Sequence, residues 1–381
     1  MSSIILRMSA TGTINSSNLR VSCVSDMDGW CQLEAEWQEL VGNSAANGVF
    51  LSWPWLDSWM EVYGEGEQWM VLTARDADGR LLGVAPMMLD HGTGPVGRWI
   101  RRIILVGQKA DTASEYLDWI LLQGHEQATV AAFCDFLFLN VGRSWDLLYF
   151  GTMRVDSITI PLLQQEFASR RQCIHVIPTS KAPFLRLPDT WQGFLDSRRA
   201  KFRQRINKFH RDHSTAIRLA GRDMSVAEGM AKIRELNEHR WGVQRRSFLS
   251  QRYVRFHDRV AERLHACGHL LLIFLEVDGI IIAGRYDFVY GGKGWSFQGG
   301  WLPEWEKESA GKLMLTEIMR WCIDNGIREY DFLAGKASYK SDWSEEERQI
   351  VDLQATNPGS WRGKLYNIIK KVAQITKLPA N

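Results

Sequence analysis

Apolar residues repeat at two spacings along this chain, and the spacing changes from one segment to the next. In residues 28–43 and 191–213 the apolar positions fall three or four residues apart, which predicts amphipathic helices. Residues 69–75 and 81–89 alternate between apolar and polar like strands, and turn-forming residues 76–80 between them predict a hairpin. The same criteria predict further helices over residues 129–140, 158–170, 226–241 and 252–267, and further strands over 145–151, 270–277, 280–290 and 293–299.

Two short motifs occur in the same order in both halves of the sequence. The turn Asp78-Gly79 has a counterpart at Asp278-Gly279, and residues 145–148 are echoed by residues 330–333. In each half the predicted order is helices, an antiparallel meander, a helix and a strand. This order indicates an α+β fold with a mixed sheet, built by internal duplication.

The boundary between the halves is expected in a proline-rich stretch. Residues 172–190 contain Pro178, Pro183 and Pro188, which is typical of a crossover segment. The chain therefore divides into a disordered Ser/Thr/Asn-rich terminus over 1–20, an N-terminal half over 21–178, a C-terminal half over 179–355, and a basic amphipathic helix over 356–381. That last helix either docks on the body of the protein or contacts a membrane surface.

Composition excludes several classes of protein. The chain has 381 residues and a net charge of +2, so nothing drives it as a whole towards DNA. Its 6 cysteines form no C-x-x-C pair, so we expect neither a zinc site nor a redox motif, and their scatter indicates a reducing, cytoplasmic compartment. We find no signal peptide and no apolar run near the ~20 residues of a membrane span.

The most informative stretch, residues 298–343, reads as strand, loop, helix, turn and strand. Small residues around Gly311 immediately precede an apolar helical run. Such a turn leaves backbone N–H groups free at the positive end of the helix dipole, which is a site for an anion. The simpler interpretation is an ordinary helix cap by Ser309, and it is compatible with the first. The sequence lacks the spacing of a Walker phosphate-binding loop.

A second feature is a basic helix. Half of the residues in 198–211 are Lys or Arg, and only Asp196 and Asp212 are near enough in sequence to neutralise them. The helix either presents a solvated charged face or binds an anion: the phosphates of coenzyme A, an anionic polysaccharide, a nucleotide-sugar or tRNA.

Several motifs together resemble one known family. They are the aromatic segment 50–55, the basic run 198–205, His239-Arg240-Trp241, Ser309-Ala310-Gly311, and Asp331–Gly335 followed by Tyr339-Lys340. Over roughly residues 45–350 the chain resembles the CelD/BcsL-type acetyltransferases, a branch of the GNAT superfamily, and more distantly the Fem-type aminoacyltransferases. The family usually has S-P-G where this chain has Ser309-Ala310-Gly311, a change that keeps the backbone donors.

The resemblance implies a tandem GNAT-like fold, with two mixed β-sheets flanked by helices. It also implies acyl transfer from acetyl-CoA or another acyl-CoA, without a metal, to a small-molecule or saccharide acceptor of envelope or exopolysaccharide metabolism. We place the donor site at Gln298, Ser309, Ala310, Gly311 and Lys312. The first half shows no evident counterpart of this site, so whether it binds a ligand is left open.

Acyl transfer also needs a base and an acid. We predict catalytic roles for His239, because an unperturbed histidine titrates near neutrality as a base should, for Asp331 in the family motif, and for Tyr339, which the resemblance implies as the acid. Glu238 is a further candidate for the base. We predict substrate contacts for Trp53, Trp55, Arg199, Arg203, Arg240, Trp241, Asp287 and Lys340.

Each of these predictions has a structural alternative. His239 could instead bond to a carbonyl, Asp287 could pair with Arg285 on its own strand, and Asp331 could belong to a buried pair. Trp53 and Trp55 could simply pack in the core, as is common for a chain with 17 tryptophans.

Two other functions compete with an acyl-CoA-dependent enzyme. A Fem-type transferase would take its acyl group from aminoacyl-tRNA, but the chain lacks the sustained heptads of a coiled-coil arm, so tRNA is not the expected partner. A non-catalytic component of a polysaccharide-synthesis complex would have a degenerate site, against which the retained Asp331, Gly335, Tyr339 and Lys340 argue.

Overall fold

The structure is a computed structural model that describes residues 13–16, 19–92, 97–241, 250–335, 340, 342–344 and 346–375. The chain folds as two compact units. Unit 1 comprises Met1–Thr179 and Gln349–Asn381, and unit 2 comprises Ser180–Arg348. The first boundary falls inside the proline-rich stretch that the sequence marked as the crossover.

The strands, in chain order, are β1 Thr13–Ser16, β2 Leu19–Val24, β3 Gln68–Arg75, β4 Leu81–His91, β5 Arg101–Leu105, β6 Ile120–Leu121, β7 Leu147–Arg154, β8 Ile174–Arg186, β9 Thr215–Leu219, β10 Leu270–Val277, β11 Ile280–Tyr290, β12 Lys293–Trp301, β13 Glu329–Asp331 and β14 Glu347–Thr356. The α-helices are α1 Met27–Cys31, α2 Glu34–Gly42, α3 Trp53–Tyr63, α4 Glu126–Leu139, α5 Thr159–Ser169, α6 Trp191–Asp196, α7 Ala200–Asp212, α8 Val226–Trp241, α9 Gln251–Ala266, α10 Ala310–Asp324 and α11 Trp361–Ile375. Short 3₁₀ turns occupy Val49–Leu51 and Pro303–Trp305.

The sheet of unit 1 runs in the order β1-β2-β3-β4-β5-β7-β14, with β6 paired to β4. Its neighbours are antiparallel except for β5 and β7, which are parallel and are connected through α4. Tryptophans fill its core; the fully buried ones are Trp30, Trp37, Trp55, Trp59, Trp119 and Trp145.

The sheet of unit 2 has the same design. Its order is β9-β10-β11-β12-β13-β8, and its parallel pair β12 and β13 is connected through α10. Helices α6, α7 and α10 pack on the sheet through one apolar cluster. This cluster includes Ile206, Phe209, Leu275, Leu313 and Ile318. The duplication inferred from the D-G hairpins therefore appears in each unit as an antiparallel run of strands that leads to a parallel pair connected through a helix, within a mixed sheet flanked by helices. This confirms the predicted α+β class.

Three expectations need adjustment. Residues 13–16 and 19–24 form antiparallel strands β1 and β2, so this part of the expected disordered terminus is a hairpin. The crossover is itself a strand, β8, because the φ angle of proline suits extended backbone. The second half was expected to extend to residue 355, but from Gln349 onwards the chain belongs to unit 1, where strand β14 pairs with β7.

Candidate active site

The parallel strands β12 and β13 pair over only three residues. Lys293 to Trp295 lie opposite Glu329 to Asp331; there β13 ends, while β12 continues to Trp301. At the same level β12 bulges, because Ser296 and Phe297 together oppose the single residue Asp287 of β11. Beyond Trp295, β12 therefore has no pairing with β13, and an edge of backbone opens beside the start of α10.

A buried carboxylate holds this opening. Asp287 is fully buried and accepts hydrogen bonds from the Phe297 N–H at 2.9 Å, from Nη2 of Arg285 at 2.9 Å and from the Tyr330 hydroxyl at 2.5 Å. Arg285 Nη2 also donates to Ser296 Oγ. Burial raises the pKa of Tyr330 well above its usual value, so its hydroxyl stays a donor. Asp287, predicted as a substrate contact, thus forms the ion pair with Arg285 that was its structural alternative, and it ties three strands together.

The start of α10 leaves two backbone donors without an acceptor among the described residues. Ser309 has a left-handed conformation with φ 62°, and its carbonyl accepts from Lys312 N at 2.8 Å and Leu313 N at 3.1 Å. Its own N–H donates to Glu306 O at 2.9 Å. Within the described residues, the N–H groups of Ala310 and Gly311 have no acceptor. The free donors are thus those of Ala310 and Gly311, rather than those of Ser309 and Lys312.

The Ser309 side chain does not cap the helix. Its Oγ lies 3.4 Å from Nη1 of Arg205, and no cap hydrogen bond forms, because the left-handed backbone carries the side chain away from the first turn. Packing explains why position 311 is a glycine, which the sequence did not reveal. A Cβ at this position would lie 3.0 Å from Cζ3 of the Trp301 ring. The Arg240 guanidinium lies over the same ring at 3.7 Å from its centroid.

A cavity of about 210 Å³ lies at this helix start. It is lined by the side chains or backbone of Arg240, Gly284, Arg285, Gly299, Gly300, Trp301, Glu306, Ser309, Ala310, Gly311, Lys312, Met314 and Leu315. We call it the donor cavity. It combines two free N–H groups and the helix dipole with three cations, one carboxylate and an apolar wall. Such a set suits a molecule with an anionic group on an apolar arm.

Glycines allow the walls of the donor cavity to approach. A Cβ on Gly300 would lie 2.2 Å from the backbone carbon of Leu236, so α8 rests directly on β12 there. A Cβ on Gly299 would lie 2.6 Å from Cδ of Arg285. The close approach of α8 brings Arg240 to the cavity, where its Nη1 also donates to Gly299 O at 3.1 Å.

A second, more polar cavity of about 580 Å³ shares Lys312 with the first. Its lining is Ser197, Arg198, Arg199, Phe202, Lys312, Asp342, Trp343 and Ser344, and we call it the basic cavity. Arg198 donates to Trp343 O at 3.2 Å, and burial lowers its pKa from the usual value. Asp342 pairs with Lys312 at 2.8 Å. The three cations outnumber the single carboxylate, so the cavity favours an anion.

Asp331 and Lys340 of the family motif bond to the described residues at the end of β13. Asp331 is buried and accepts from Leu333 N at 2.7 Å and from Arg348 Nη1 at 2.7 Å. Lys340 Nζ donates to three carbonyls, those of Phe332 at 2.8 Å, Leu333 at 2.9 Å and Ala334 at 2.8 Å. Asp331, predicted as catalytic, therefore belongs to the buried pair that was its structural alternative, and Lys340, predicted as a substrate contact, binds the carbonyls of the turn.

Other predicted residues line neither cavity. Trp55 donates to Ser114 Oγ at 2.9 Å in the core of unit 1, where Trp53 stacks on Trp30 at 4.6 Å; both are core residues and not walls of the substrate site. Arg203 donates to the Leu195 and Arg198 carbonyls at 3.2 and 3.0 Å, which closes the end of α6.

The remaining predicted residues divide by position. Arg199 lines the basic cavity and Arg240 the donor cavity. Gln298 donates to the Tyr253 hydroxyl and lies outside the donor cavity. His239 is exposed in the last turn of α8, beside Arg240. Tyr339 and the Trp241 side chain lie outside the described residues.

Sequence reasoning missed Arg285 and Trp301 as cavity residues. Arg285 appeared only as an ion-pair partner, and its signal was a charge within an apolar strand. Trp301 directly follows Gly299-Gly300, a pair of glycines that could have indicated close backbone approach. Among the residues that the structure describes, no group of three or more His, Cys, Asp or Glu side chains could hold a metal ion.

Comparison with known proteins assigns this site to a class. Residues 196–341 match the family model of the acetyltransferase (GNAT) domain, and every residue of the donor cavity lies within that range. The crystal structure of FemX is similar over 88% of this chain and 98% of its own, with a TM-score of 0.62 and 13% identity.

Two lysylphosphatidylglycerol synthetase structures share the fold. The C-terminal domain of a putative enzyme from Agrobacterium fabrum has a TM-score of 0.51 at 11% identity, covering 88% of this chain and 94% of its own. L-PGS from Bacillus licheniformis has a TM-score of 0.51 at 12% identity, covering 91% of this chain and 96% of its own. No curated protein matches the sequence. The matched GNAT acetyltransferase domain lies in unit 2, because residues 196–341 fall within Ser180–Arg348.

Proposed function

We propose that the protein is an acyl-CoA-dependent N- or O-acyltransferase. It acts in the cytoplasm on a sugar or cell-envelope precursor of polysaccharide synthesis, as a CelD/BcsL-like enzyme. One observation carries the proposal: the donor cavity, where the free N–H groups of Ala310 and Gly311 meet Arg240 and Lys312. Backbone donors at a helix start together with cations suit the diphosphate of an acyl-CoA.

The chemistry follows from that placement. With the diphosphate at the start of α10, the apolar wall of Met314 and Leu315 receives the pantetheine arm, and the thioester extends along the open edge of β12. The acceptor amine or hydroxyl attacks the thioester carbonyl, the carbon–sulfur bond breaks, and coenzyme A leaves as the thiol after taking up a proton. We keep His239, one residue before Arg240, as the base that removes the proton from the acceptor.

The acceptor belongs in the basic cavity. Phe202 and Trp343 offer apolar and aromatic surface to a sugar ring, while Arg198, Arg199 and Lys312 suit an anionic group on it. Lys312 lines both cavities, so an acceptor bound there would lie next to the donor. A phosphorylated sugar or nucleotide-sugar has this chemistry.

Calorimetry and thermal melting with acetyl-CoA test the donor site. Ligand at a hundred times its Kd should stabilise the protein by about 2.7 kcal/mol. Replacing Arg240 with Gln removes a cation from the diphosphate and should weaken binding about tenfold. As a matched control, Lys201→Gln removes an exposed cation that lines neither cavity and should leave binding unchanged. If no acyl-CoA shifts the melting temperature, the proposal fails.

One observation supports a different donor. The exposed side of α7 carries Lys201, Arg205, Lys208 and Arg211, a cationic ridge beyond what the basic cavity needs. Aminoacyl-tRNA as the donor, as in a Fem-type transferase, would use such a ridge. Binding of tRNA that falls steeply with salt and is lost in Lys201→Gln/Arg205→Gln would favour this function over the acyl-CoA-dependent one.

A further inference from the structure

Four apolar side chains in the described part of helix α11 are exposed to solvent. Trp361 is 66% exposed, Leu365 46%, Ile368 58% and Ile369 41%. Their spacing of four, three and one residues places them on one side of the helix, which we call the outer face of α11. An amphipathic helix of a water-facing surface shows the opposite arrangement, with its apolar residues against the body of the protein.

The side of α11 that docks on unit 1 is small and polar. A Cβ on Gly363 would lie 2.6 Å from the carbonyl oxygen of Asp146, so the helix backbone packs against the residue that precedes β7. Ser360 Oγ accepts from Gly363 N at 3.0 Å and donates to Asp146 Oδ1 at 2.6 Å. Further along, the Asn367 amide donates to Thr356 Oγ1. These contacts determine which side of the helix is turned outwards.

The charge of the helix narrows the choice of partner. The sequence of α11 contains Arg362, Lys364, Lys370 and Lys371 and no Asp or Glu. Arg362 and Lys364 are exposed next to the outer face. An apolar strip edged by cations, with a tryptophan at one end, matches the interface of an anionic bilayer, where the apolar side chains enter the acyl region and the cations meet the headgroups.

We propose that the outer face of α11 binds the surface of a membrane that contains anionic phospholipid. The helix lies in the interface and does not cross it, because within the described residues no helix is both long and apolar enough to span a membrane. The contacts on the docked side hold α11 against unit 1, while the outer face of α11 enters the lipid. This inference is independent of the acyl donor.

Sedimentation of the full chain with vesicles tests it. The protein should bind vesicles of phosphatidylcholine mixed with phosphatidylglycerol, bind vesicles of phosphatidylcholine alone much less, and lose affinity as salt rises. The double variant Leu365→Gln/Ile368→Gln should lose at least about tenfold in partitioning, since two exposed apolar side chains no longer enter the lipid. Lys364→Gln should lose about fivefold on the anionic vesicles only.

The matched control is Ile280→Gln. Ile280 is 58% exposed, as Ile368 is, but lies at a hairpin of unit 2, so its replacement should leave vesicle binding unchanged. Equal binding by the wild type and Leu365→Gln/Ile368→Gln would overturn the proposal. So would a dimer in light scattering that this double variant converts to a monomer, because a second copy of the chain would then be what covers the outer face.

Discussion

The hydroxyl of Tyr330 offers a sharp test of how the opening between β12 and β13 is held. Replacing Tyr330 with Phe keeps the ring and removes only the donor that lies 2.5 Å from Asp287 Oδ2. The site is fully buried, so no water replaces the lost bond. A hydrogen bond to a charged group contributes about 1.5–3 kcal/mol, and we expect unit 2 to lose about 2 kcal/mol.

Hydrogen exchange measured by mass spectrometry is the appropriate assay, because it reports the opening of each unit separately. Peptides covering β11 and β12 should lose protection in Tyr330→Phe, while peptides covering β7 should not. The matched control is Tyr149→Phe in unit 1, where the hydroxyl donates to Asp352 Oδ2 at 2.7 Å in a half-buried position. Water can replace that bond, so the expected loss is about 1 kcal/mol or less.

Asp287→Asn extends the test to the ion pair. It leaves the buried Arg285 guanidinium without its carboxylate, which should destabilise unit 2 by about 3–5 kcal/mol. Combined with Tyr330→Phe, the losses should fall short of additivity by about 1.5–3 kcal/mol, because both changes remove the same bond. Fully additive losses, or a Tyr330→Phe loss no larger than that of Tyr149→Phe, would refute the view that one carboxylate ties the three strands together.

Three further predictions concern other parts of the molecule. In thermal melts, Gly335→Ala should destabilise unit 2 more than Gly79→Ala destabilises unit 1. Both glycines have a positive φ, but a Cβ at Gly335 would lie 3.1 Å from Lys340 Nζ, whereas a Cβ at Gly79 would have no atom within 4 Å. Equal losses of stability would contradict this prediction. Burial raises the pKa of Asp118 to about 6, above its unfolded value, so the folded state binds this proton more tightly, and unit 1 should lose stability as pH rises from about 4 to above 6. Asp118→Asn should remove that dependence, as urea titrations at several pH values would show. His239→Gln should lower kcat about 10²–10⁴-fold without changing acetyl-CoA affinity; an unchanged kcat would exclude His239 as the base.

Local patterns predicted the elements well where the physical signal is local. The hairpin at Asp278-Gly279 and the start of α10 next to Gly311 depend on backbone preferences of a few consecutive residues, and both occur as predicted. Residues 172–190 were predicted as a crossover segment, and not as a strand, because prolines interrupt most strands. It forms β8, since an extended strand tolerates proline where no ladder hydrogen bond is needed.

The site was harder to predict, because its side chains meet across strands. Asp287 and Tyr330 are 43 residues apart in the chain and share one hydrogen bond. The residues next to Asp287 and next to Tyr330 in the sequence do not indicate that the two side chains meet in the core and not at the surface. Trp53 and Trp55 suggested a substrate wall by residue type alone, whereas the packing of unit 1 places both in the core.

The sequence by itself determined the order of helices and strands, the internal duplication and the small-residue turn before α10, because each depends on the periodicity and backbone freedom of neighbouring residues. Tertiary structure alone decided which N–H groups stay free, at Ala310 and Gly311, and which cations line the donor cavity. It also decided that α11 turns its apolar side outwards, since a helix has the same pattern whichever side it docks, and only the contacts of Gly363 and Ser360 with Asp146 select one.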